Sequence, residues 1–311
     1  MDRRAFLKQV AAWSAGITAL PPLFRILPEA IAAETAAAGQ PVISVAKGTD
    51  YAALVGKVLE PLGGISAFVK KGDRVVVKPN IGWDRKPELG ANTHPEVVKA
   101  VVKAALDAGA SKVMVFDRSC DEMRRCYAAS GIIDAVKTVK DDRLSWYYVE
   151  EKDKKFVPVK IEKGRDAGLK EWEFFKDAME AECYINIPIA KHHRLAKLTL
   201  GLKNIMGIIG GGRGGIHQNM GQRLADLNTV VRPKLTIMDA TRILLRNGPK
   251  GGDLKDVKVL DTLVASADTV AADAYSTTFF DMKPADVDAT RAAAEMGLGE
   301  MDLNKVKVVK V

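Results

Sequence analysis

The pattern that most constrains the fold is a buried strand, an amphipathic helix and a second apolar strand in direct succession. Residues 73–78 read DRVVVK, a β-branched run that predicts a buried strand. Thr93 as N-cap, followed by Pro95 and Glu96, predicts a helix that starts with a capping box. Residues 112–116 predict the next strand. This βαβ unit favours an α/β fold with a mostly parallel central sheet flanked by helices.

Further strands and helices are predicted along the rest of the chain. Residues 145–149 and 156–161 indicate two short strands across a charged turn, and hence a small inserted β-rich lobe. Residues 39–311 are expected to form a single α/β domain. The other predicted strands are residues 42–46, 183–189, 235–238, 257–265 and 306–311, and the other predicted helices are residues 51–62, 222–231, 268–280 and 285–296.

The N-terminal segment resembles a twin-arginine export signal. The pair Arg3 and Arg4 is followed by AFLK and then by a short, mildly apolar run at residues 10–20. A spanning helix needs roughly 18 or more apolar residues, so this run is too short for a good anchor. Small-residue cleavage sites occur at residues 30–32 and 36–38. We therefore expect residues 1–38 to be recognised by the twin-arginine translocase and the mature protein to be periplasmic.

The net charge of the chain indicates which class of ligand is expected. The chain carries 47 Lys and Arg against 39 Asp and Glu, a formal net charge of +8. This mild positive excess fits an anionic small molecule. Nucleic acid is not an expected partner, because no basic run is interleaved with aromatic residues.

The cysteines limit the redox chemistry that the chain can support. Cys120, Cys126 and Cys183 form no CxxC pair, so they cannot alone hold a ferredoxin-type cluster or a structural zinc. Cys120 and Cys126 could form a disulfide. The favoured alternative is that all three are small buried thiols.

Polar residues follow two of the predicted elements. In α/β folds, ligands bind where parallel strands end. Lys78 and Asn80 come at the end of the first buried strand, and Thr93 and His94 lie at a helix N-terminus, which favours anions. The alternatives to ligand binding are that Lys78 and Asn80 lie at a solvated strand end and that Thr93 and His94 form an ordinary helix cap.

The most informative stretch is residues 186–209. Lys191 and His192 leave a buried strand, whereas Lys203 and Asn204 interrupt an apolar run. Such a pair is costly to bury unless an anionic or polar group receives it, although Lys203 could instead reach the surface. We predict Lys203 and Asn204 as ligand-binding residues, and Lys191 and His192 as acid–base candidates.

A glycine loop at residues 210–215 follows. Its backbone N–H groups could face an anion at Gly211, Gly212 and Arg213. The loop also satisfies G-x-G-x-x-G and precedes a predicted helix and a strand that ends in Asp239, as in a dinucleotide fold. The segment before the loop argues against a dinucleotide fold, because its pair Lys203 and Asn204 makes that segment a poor central strand.

Histidines and aspartates are the candidates for acid–base chemistry and for metal binding. His217 is a third acid–base candidate. No tight spacing such as H-E-x-x-H is present. The chain contains only His94, His192, His193 and His217, and the candidate oxygen ligands of a metal are Asp239, Asp268 and Asp273.

Six motifs occur in a fixed order between residues 75 and 276: VVVKPNIGW, THPEVVKAVV, INIPIAKHHRLAKLTLGLKNIMGII, GGIHQNMGQRLADL, PKLTIMDATRIL with NGPKGG, and TLVASADTVAADAYS. This order resembles the domain-of-unknown-function family numbered 362, whose members are often exported or fused to ferredoxin modules. The chain lacks the cysteine-rich module, so a redox role would need a cofactor or an electron-transfer partner from elsewhere. The resemblance implies that one site is faced by Lys78, Asn80, His94, Lys191, His192, Lys203, Asn204, His217, Asp239, Asp268 and Asp273.

Three functional hypotheses follow. The leading one is an exported protein that binds an anionic ligand or a metal-bearing cofactor in redox-linked metabolism. The second is a nicotinamide- or flavin-dependent oxidoreductase that uses the glycine loop and Asp239. The third is a non-enzymatic periplasmic assembly or filament subunit. The absence of G-x-S-x-G and G-K-[ST] excludes a typical serine hydrolase or P-loop enzyme.

Overall fold

A large sheet of short apolar strands organises the described part of the chain, residues 39–311 of a computed structural model. The predicted export signal, residues 1–38, lies outside the described residues. The strands are β1 (Val42–Lys47), β2 (Arg74–Pro79), β3 (Lys112–Val115), β4 (Leu144–Trp146), β5 (Phe156–Lys160), β6 (Glu171–Phe175), β7 (Cys183–Ile187), β8 (Ile189–His193), β9 (Lys197–Thr199), β10 (Leu235–Leu244), β11 (Val257–Ser266) and β12 (Lys307–Lys310). In the large sheet the strand order is β12-β1-β11-β10-β7-β2-β3-β4, and β8 pairs with both β10 and β9.

Most neighbouring strands in this sheet are parallel. β2 runs parallel to β3 and β7, β3 to β4, β10 to β7 and β8, and β1 to β12. β11 is antiparallel to both of its neighbours, and β8 and β9 are also antiparallel. The predicted α/β fold with a mostly parallel central sheet is therefore confirmed.

Helices cover both faces of the sheet because its central strands are apolar on both sides. Along β2, Val75 and Val77 pack in one core with the helices at residues 51–59, 95–107 and 132–137, whereas Val76 packs in a second core with the helices at residues 220–227 and 288–295. Within residues 39–311, no helix is both long and apolar enough to cross a membrane. The helices are α1 (Tyr51–Leu59), α2 (Pro95–Asp107), α3 (Met123–Ala129), α4 (Ile132–Lys137), α5 (Lys176–Glu180), α6 (Gly201–Asn204), α7 (Met220–Leu227), α8 (Thr269–Ser276) and α9 (Asp288–Glu295).

The small β-rich lobe is present, but its strand pairing differs from the predicted one. Residues 145–149 contribute instead to β4, which pairs with β3 in the main sheet. β5 pairs with β6 in a separate antiparallel two-stranded sheet. Aromatic residues of β6 are buried against the main sheet. This burial favours β6 as the partner of β5 over the predicted partner, residues 145–149.

Helix α2 starts one residue later than its sequence indicates. His94 is the N-cap, and its Nδ1 accepts the Glu96 N–H at 3.2 Å. The Thr93 hydroxyl instead accepts the Asn80 N–H at 2.8 Å and donates to the Ile187 carbonyl at 2.7 Å. Thr93 is therefore not the cap; it ties the end of β2 to the end of β7.

Candidate functional site

A cavity of about 690 Å³ opens where β2 and β8 end. Its wall is polar and cationic, which fits the general position of ligand sites in α/β folds. The predicted residues that line it are Lys78, Asn80, Lys191, His192, Lys203, Asn204, Arg213 and His217. The predicted residues outside this wall are Thr93, His94, Gly211, Gly212, Asp239, Asp268 and Asp273.

Lys78 forms a buried ion pair at the floor of the cavity. Its Nζ lies 2.9 Å from Oδ1 of Asp117, the residue that follows β3 by two positions. Both side chains are almost fully buried. Burial lowers the pKa of Lys78, and the Asp117 charge partly opposes that effect. The pair therefore contributes little net charge to the cavity.

Asn204 is the centre of an amide network beside this pair. Its Oδ1 accepts hydrogen bonds from Lys78 Nζ at 2.8 Å and from Asn80 Nδ2 at 3.0 Å. Its Nδ2 donates to Asn186 Oδ1 at 2.8 Å. These contacts explain how an asparagine is accommodated within an apolar run, since each polar atom of its buried amide has a partner.

Lys191 and Lys203 supply positive charge that no carboxylate neutralises among the described residues. Lys191 Nζ donates to Asn80 Oδ1 at 3.0 Å and to the Ala91 carbonyl, and only 1% of its surface is exposed. Lys203 Nζ contacts only the Met206 sulfur, at 3.2 Å. Burial lowers the pKa of Lys191 to about 7 and that of Lys203 to about 8. Two poorly compensated amines therefore face one cavity.

Two histidines of the cavity wall present N–H groups. His192 Nδ1 accepts the Gly248 N–H at 3.1 Å, and His193 Nδ1 accepts the Ala196 N–H at 3.0 Å. A ring nitrogen that accepts leaves the proton of a neutral imidazole on Nε2. Burial lowers the pKa of His193 to about 3, which keeps that ring neutral. Both rings are thus arranged as hydrogen-bond donors, and their Nε2 atoms have no lone pair for a metal.

His217 has the opposite tautomer. Its Nδ1 lies 3.2 Å from the Gly214 carbonyl oxygen, which can only accept a hydrogen bond. In the neutral ring this contact places the proton on Nδ1 and leaves a lone pair on Nε2. His217 is therefore the histidine of this wall that is best arranged to accept a proton.

Two of the three arginines of the wall, Arg118 and Arg213, hold loops together. Arg213 donates from NH1 to the Arg118 carbonyl at 2.8 Å and to the Met206 carbonyl at 3.0 Å, and from NH2 to the Ser119 carbonyl. Arg118 donates to two further carbonyls and lies 3.3 Å from Glu151. Most of their donors are already used, so the lysines are the better candidates for binding a ligand.

Of the predicted anion cradle, Gly211 and Gly212 lie outside the cavity wall, and the Arg213 N–H is used within the loop. Gly210 N donates to the Glu173 carbonyl, Arg213 N to the Gly211 carbonyl, and Gly215 N to the Gly212 carbonyl. A 3-10 helix, Ile205–Ile208, precedes the loop where a dinucleotide fold requires a strand. The structure therefore does not provide the loop geometry on which the dinucleotide hypothesis depends.

Asp239 and His94 contact each other away from the cavity wall. Asp239 accepts the His94 N–H at 2.7 Å, and its other oxygen accepts the Thr241 N–H and hydroxyl. Burial lowers the pKa of His94 to about 4. Both carboxylate oxygens are therefore used in positioning the backbone, and Asp239 is not free to bind a ribose.

The other two aspartates also bind backbone N–H groups. Asp268 caps α8 through the Ala271 N–H at 3.0 Å. Asp273 accepts the N–H groups of Gly201 at 2.7 Å and Leu202 at 2.9 Å, and burial raises its pKa to about 7. The predicted aspartates thus share no common centre. Within residues 39–311, no three His, Cys, Asp or Glu side chains are grouped to hold a metal.

Asp117 and Cys120 are among the cavity-wall residues that the sequence did not indicate. Asp117 follows an apolar strand, as Lys78 does, and this shared position was a usable signal. Cys120 is exposed at the wall, so the expectation that all three thiols are buried is wrong for it. The structure contains no Cys120–Cys126 disulfide. Burial raises the pKa of Cys126 to about 11 and that of Cys183 to about 12.

Comparisons with known proteins give a family but no reaction. A family model described as a domain of unknown function (DUF362) matches residues 75–278. A thylakoid-associated protein of Synechocystis sp. is 29% identical over 254 residues, which are 78% of this chain and 73% of that protein.

Solved structures are more distant. The lactate racemase apoprotein of Thermoanaerobacterium thermosaccharolyticum has a TM-score of 0.45 and 11% identity over 77% of this chain. A Thermotoga maritima protein has a TM-score of 0.43 and 10% identity over 80% of this chain. The chain covers 57% and 60% of these two structures.

Proposed function

Because the chain belongs to the family described as DUF362, whose matched region contains every residue of the cationic cavity, we propose that this cavity binds an anionic small molecule. The observation that carries the proposal is the pair Lys191 and Lys203, whose amines have no carboxylate partner in the described chain. A buried cation is costly unless it is paired, and a bound anion would supply the missing charge.

The size and the donors of the cavity indicate the class of ligand. A volume of about 690 Å³ is typical of small-molecule sites. The Lys191 and Lys203 amines and the Nε2–H groups of His192 and His193 are available to oxygen acceptors. Carboxylate and phosphate groups match this set, since they accept several charge-assisted hydrogen bonds at once. A metal-bearing cofactor is less well supported, because both histidines present N–H groups.

His217 gives the cavity a means of moving a proton. Its Nε2 lone pair lies in the same wall as the lysines. An anion bound in the cavity would share this wall with a ring nitrogen that can accept a proton. We propose acid–base chemistry on the bound anion, with His217 as the base.

Replacing Lys191 with methionine should weaken anion binding by roughly 10- to 100-fold, because one charge-assisted hydrogen bond contributes about 1.5–3 kcal/mol. Isothermal titration with oxalate, citrate and inorganic phosphate measures this. Lys250→Met is the matched control: Lys250 also lines the cavity but pairs with Asp121 at 2.7 Å. Equal affinities in the wild type and Lys191→Met, or no binding of any of these anions to the wild type, would contradict the proposal.

We further propose that residues 1–38 direct export through the twin-arginine translocase. The support is the Arg3-Arg4 pair followed by AFLK. Fused to a reporter that must fold before transport, the segment should deliver it to the periplasm. Changing both arginines to lysine should abolish delivery, whereas changing Lys8 to arginine should not. Unchanged delivery by the double-lysine variant would reject the twin-arginine route.

A further inference from the structure

Lys203 has the least constrained amine of the four cavity lysines, since Lys250 is paired with Asp121. Lys78 is held by an ion pair and two hydrogen bonds, and Lys191 donates to two oxygen acceptors. Within residues 39–311, Lys203 Nζ has a thioether sulfur as its only hydrogen-bond partner, and such a sulfur is a weak acceptor. When the amine of Lys203 is neutral, its lone pair is therefore not committed to any group of the described chain.

The backbone that carries Lys203 is nonetheless held firmly. Lys203 lies in the one-turn helix α6, whose first two N–H groups both donate to the buried Asp273 carboxylate. The next residue, Asn204, is fixed by the amide network. A fixed backbone with an unpaired amine allows a lysine to bring its nitrogen to the same ligand atom each time.

The surroundings also increase the neutral fraction of this amine near neutral pH. Burial lowers the pKa of Lys203 to about 8, and the charge of Arg213 adds to this effect while Cys120 opposes it. Lys191 and His193 are the other titratable groups that sense its charge. Desolvation and nearby cations are the means by which proteins turn a lysine into a nucleophile.

We infer that Lys203 forms an imine with the carbonyl carbon of a small 2-oxo acid whose carboxylate is bound by Lys191. The inference rests on the proposed anion-binding function and specifies its substrate class. Lys191 supplies the charge for the carboxylate, Lys203 supplies the nucleophile, and His217 supplies a base in the same wall. A carboxylate next to a carbonyl group is the smallest ligand that uses all three.

The step balances without a further reactant. The neutral Lys203 amine attacks the carbonyl carbon, and the C=O π electrons move to oxygen. One N–H proton passes through His217 Nε2 to this oxygen and gives a carbinolamine. The second N–H proton passes by the same route to the hydroxyl, which leaves as water while the C=N bond forms. One amine and one carbonyl thus give one imine and one water, with no change in oxidation state.

Borohydride trapping of the full chain tests the inference. Incubation with glyoxylate or pyruvate followed by sodium borohydride should convert the imine into a stable secondary amine, one per protein, located at Lys203 by peptide mass mapping. At a saturating concentration of the probe, trapping should increase from pH 6 to pH 8 as the neutral fraction of Lys203 grows. Oxalate, which has no ketone or aldehyde carbonyl, should compete and protect the lysine.

Two variants make the result specific. Lys203→Arg keeps the charge but cannot form an imine, and it should lose the adduct while still binding oxalate within roughly tenfold of the wild type. Lys250→Met should keep the adduct. Oxalate binding without any trapped adduct, or an adduct spread over surface lysines, would overturn the imine and leave anion binding intact. Failure of the wild type to bind oxalate, citrate and phosphate would overturn the proposed function itself.

Discussion

Replacing Gly207 with alanine should destabilise the protein strongly. A Cβ at this position would lie 1.7 Å from Asp117 Oδ1 and 2.5 Å from Lys78 Nζ. Neither side chain can move into solvent, because both are buried. Overpacking costs about 1–3 kcal/mol and separating a buried ion pair about 3–5 kcal/mol, so we expect a loss of roughly 4 kcal/mol or more. Guanidinium unfolding measures the free energy of unfolding.

Gly214→Ala is the matched control for this experiment. Gly214 lies in the same wall, but a Cβ there meets no heavy atom within 4 Å. The free energy of unfolding should change by less than about 1 kcal/mol, in either direction. If Gly207→Ala unfolded at the same guanidinium concentration as the wild type, the close approach of Gly207 to the ion pair would be wrong.

Replacing Lys78 with methionine should be the second large effect. The change leaves the Asp117 carboxylate buried without its cation and removes a donor from Asn204 Oδ1. Removing one partner of a buried ion pair costs about 3–5 kcal/mol. Thermal and guanidinium unfolding at pH 7 should both show the loss, and anion binding should weaken because Asn204 helps to hold Asn80, which contacts Lys191.

The double variant Lys78→Met with Asp117→Leu identifies the cause. Replacing both charges with apolar groups should restore roughly half or more of the stability lost in the single variant, because no unpaired charge remains buried. A double variant as unstable as Lys78→Met would show that packing, and not the unpaired carboxylate, dominates. Lys99→Met, which removes an exposed ion pair with Glu96, should change stability by less than about 1 kcal/mol.

The sequence predicted most of the fold because its central strands are unusually clear. The run DRVVVK is apolar on both faces, which is typical of a parallel strand covered by helices, and β2 is such a strand. The pairing of the lobe was not predictable in the same way. Whether residues 145–149 or β6 pairs with β5 depends on contacts between segments that are distant in the chain, and local patterns do not encode these.

The site was partly predictable for a related reason. Lys78 lies one residue before the end of β2 and Lys191 two residues before the end of β8, and the parallel sheet brings such positions to one edge. The predicted strand 235–238 placed Asp239 by the same rule, but β10 continues to Leu244, and Asp239 accepts the His94 N–H. The choice of partner for a carboxylate is a tertiary property, so its strand position could not distinguish a ligand-binding aspartate from a structural one.

The pairing of strand β10 determines when, during synthesis of the chain, the cavity can form. It pairs with β7 and with β8, and its Leu244 is the register partner of Lys191. During synthesis, Lys191 leaves the ribosome more than forty residues before this partner does. The cavity therefore cannot take its final form on a nascent chain that lacks residues 235–244. A ligand of the cavity can therefore bind only after residue 244 has been synthesised.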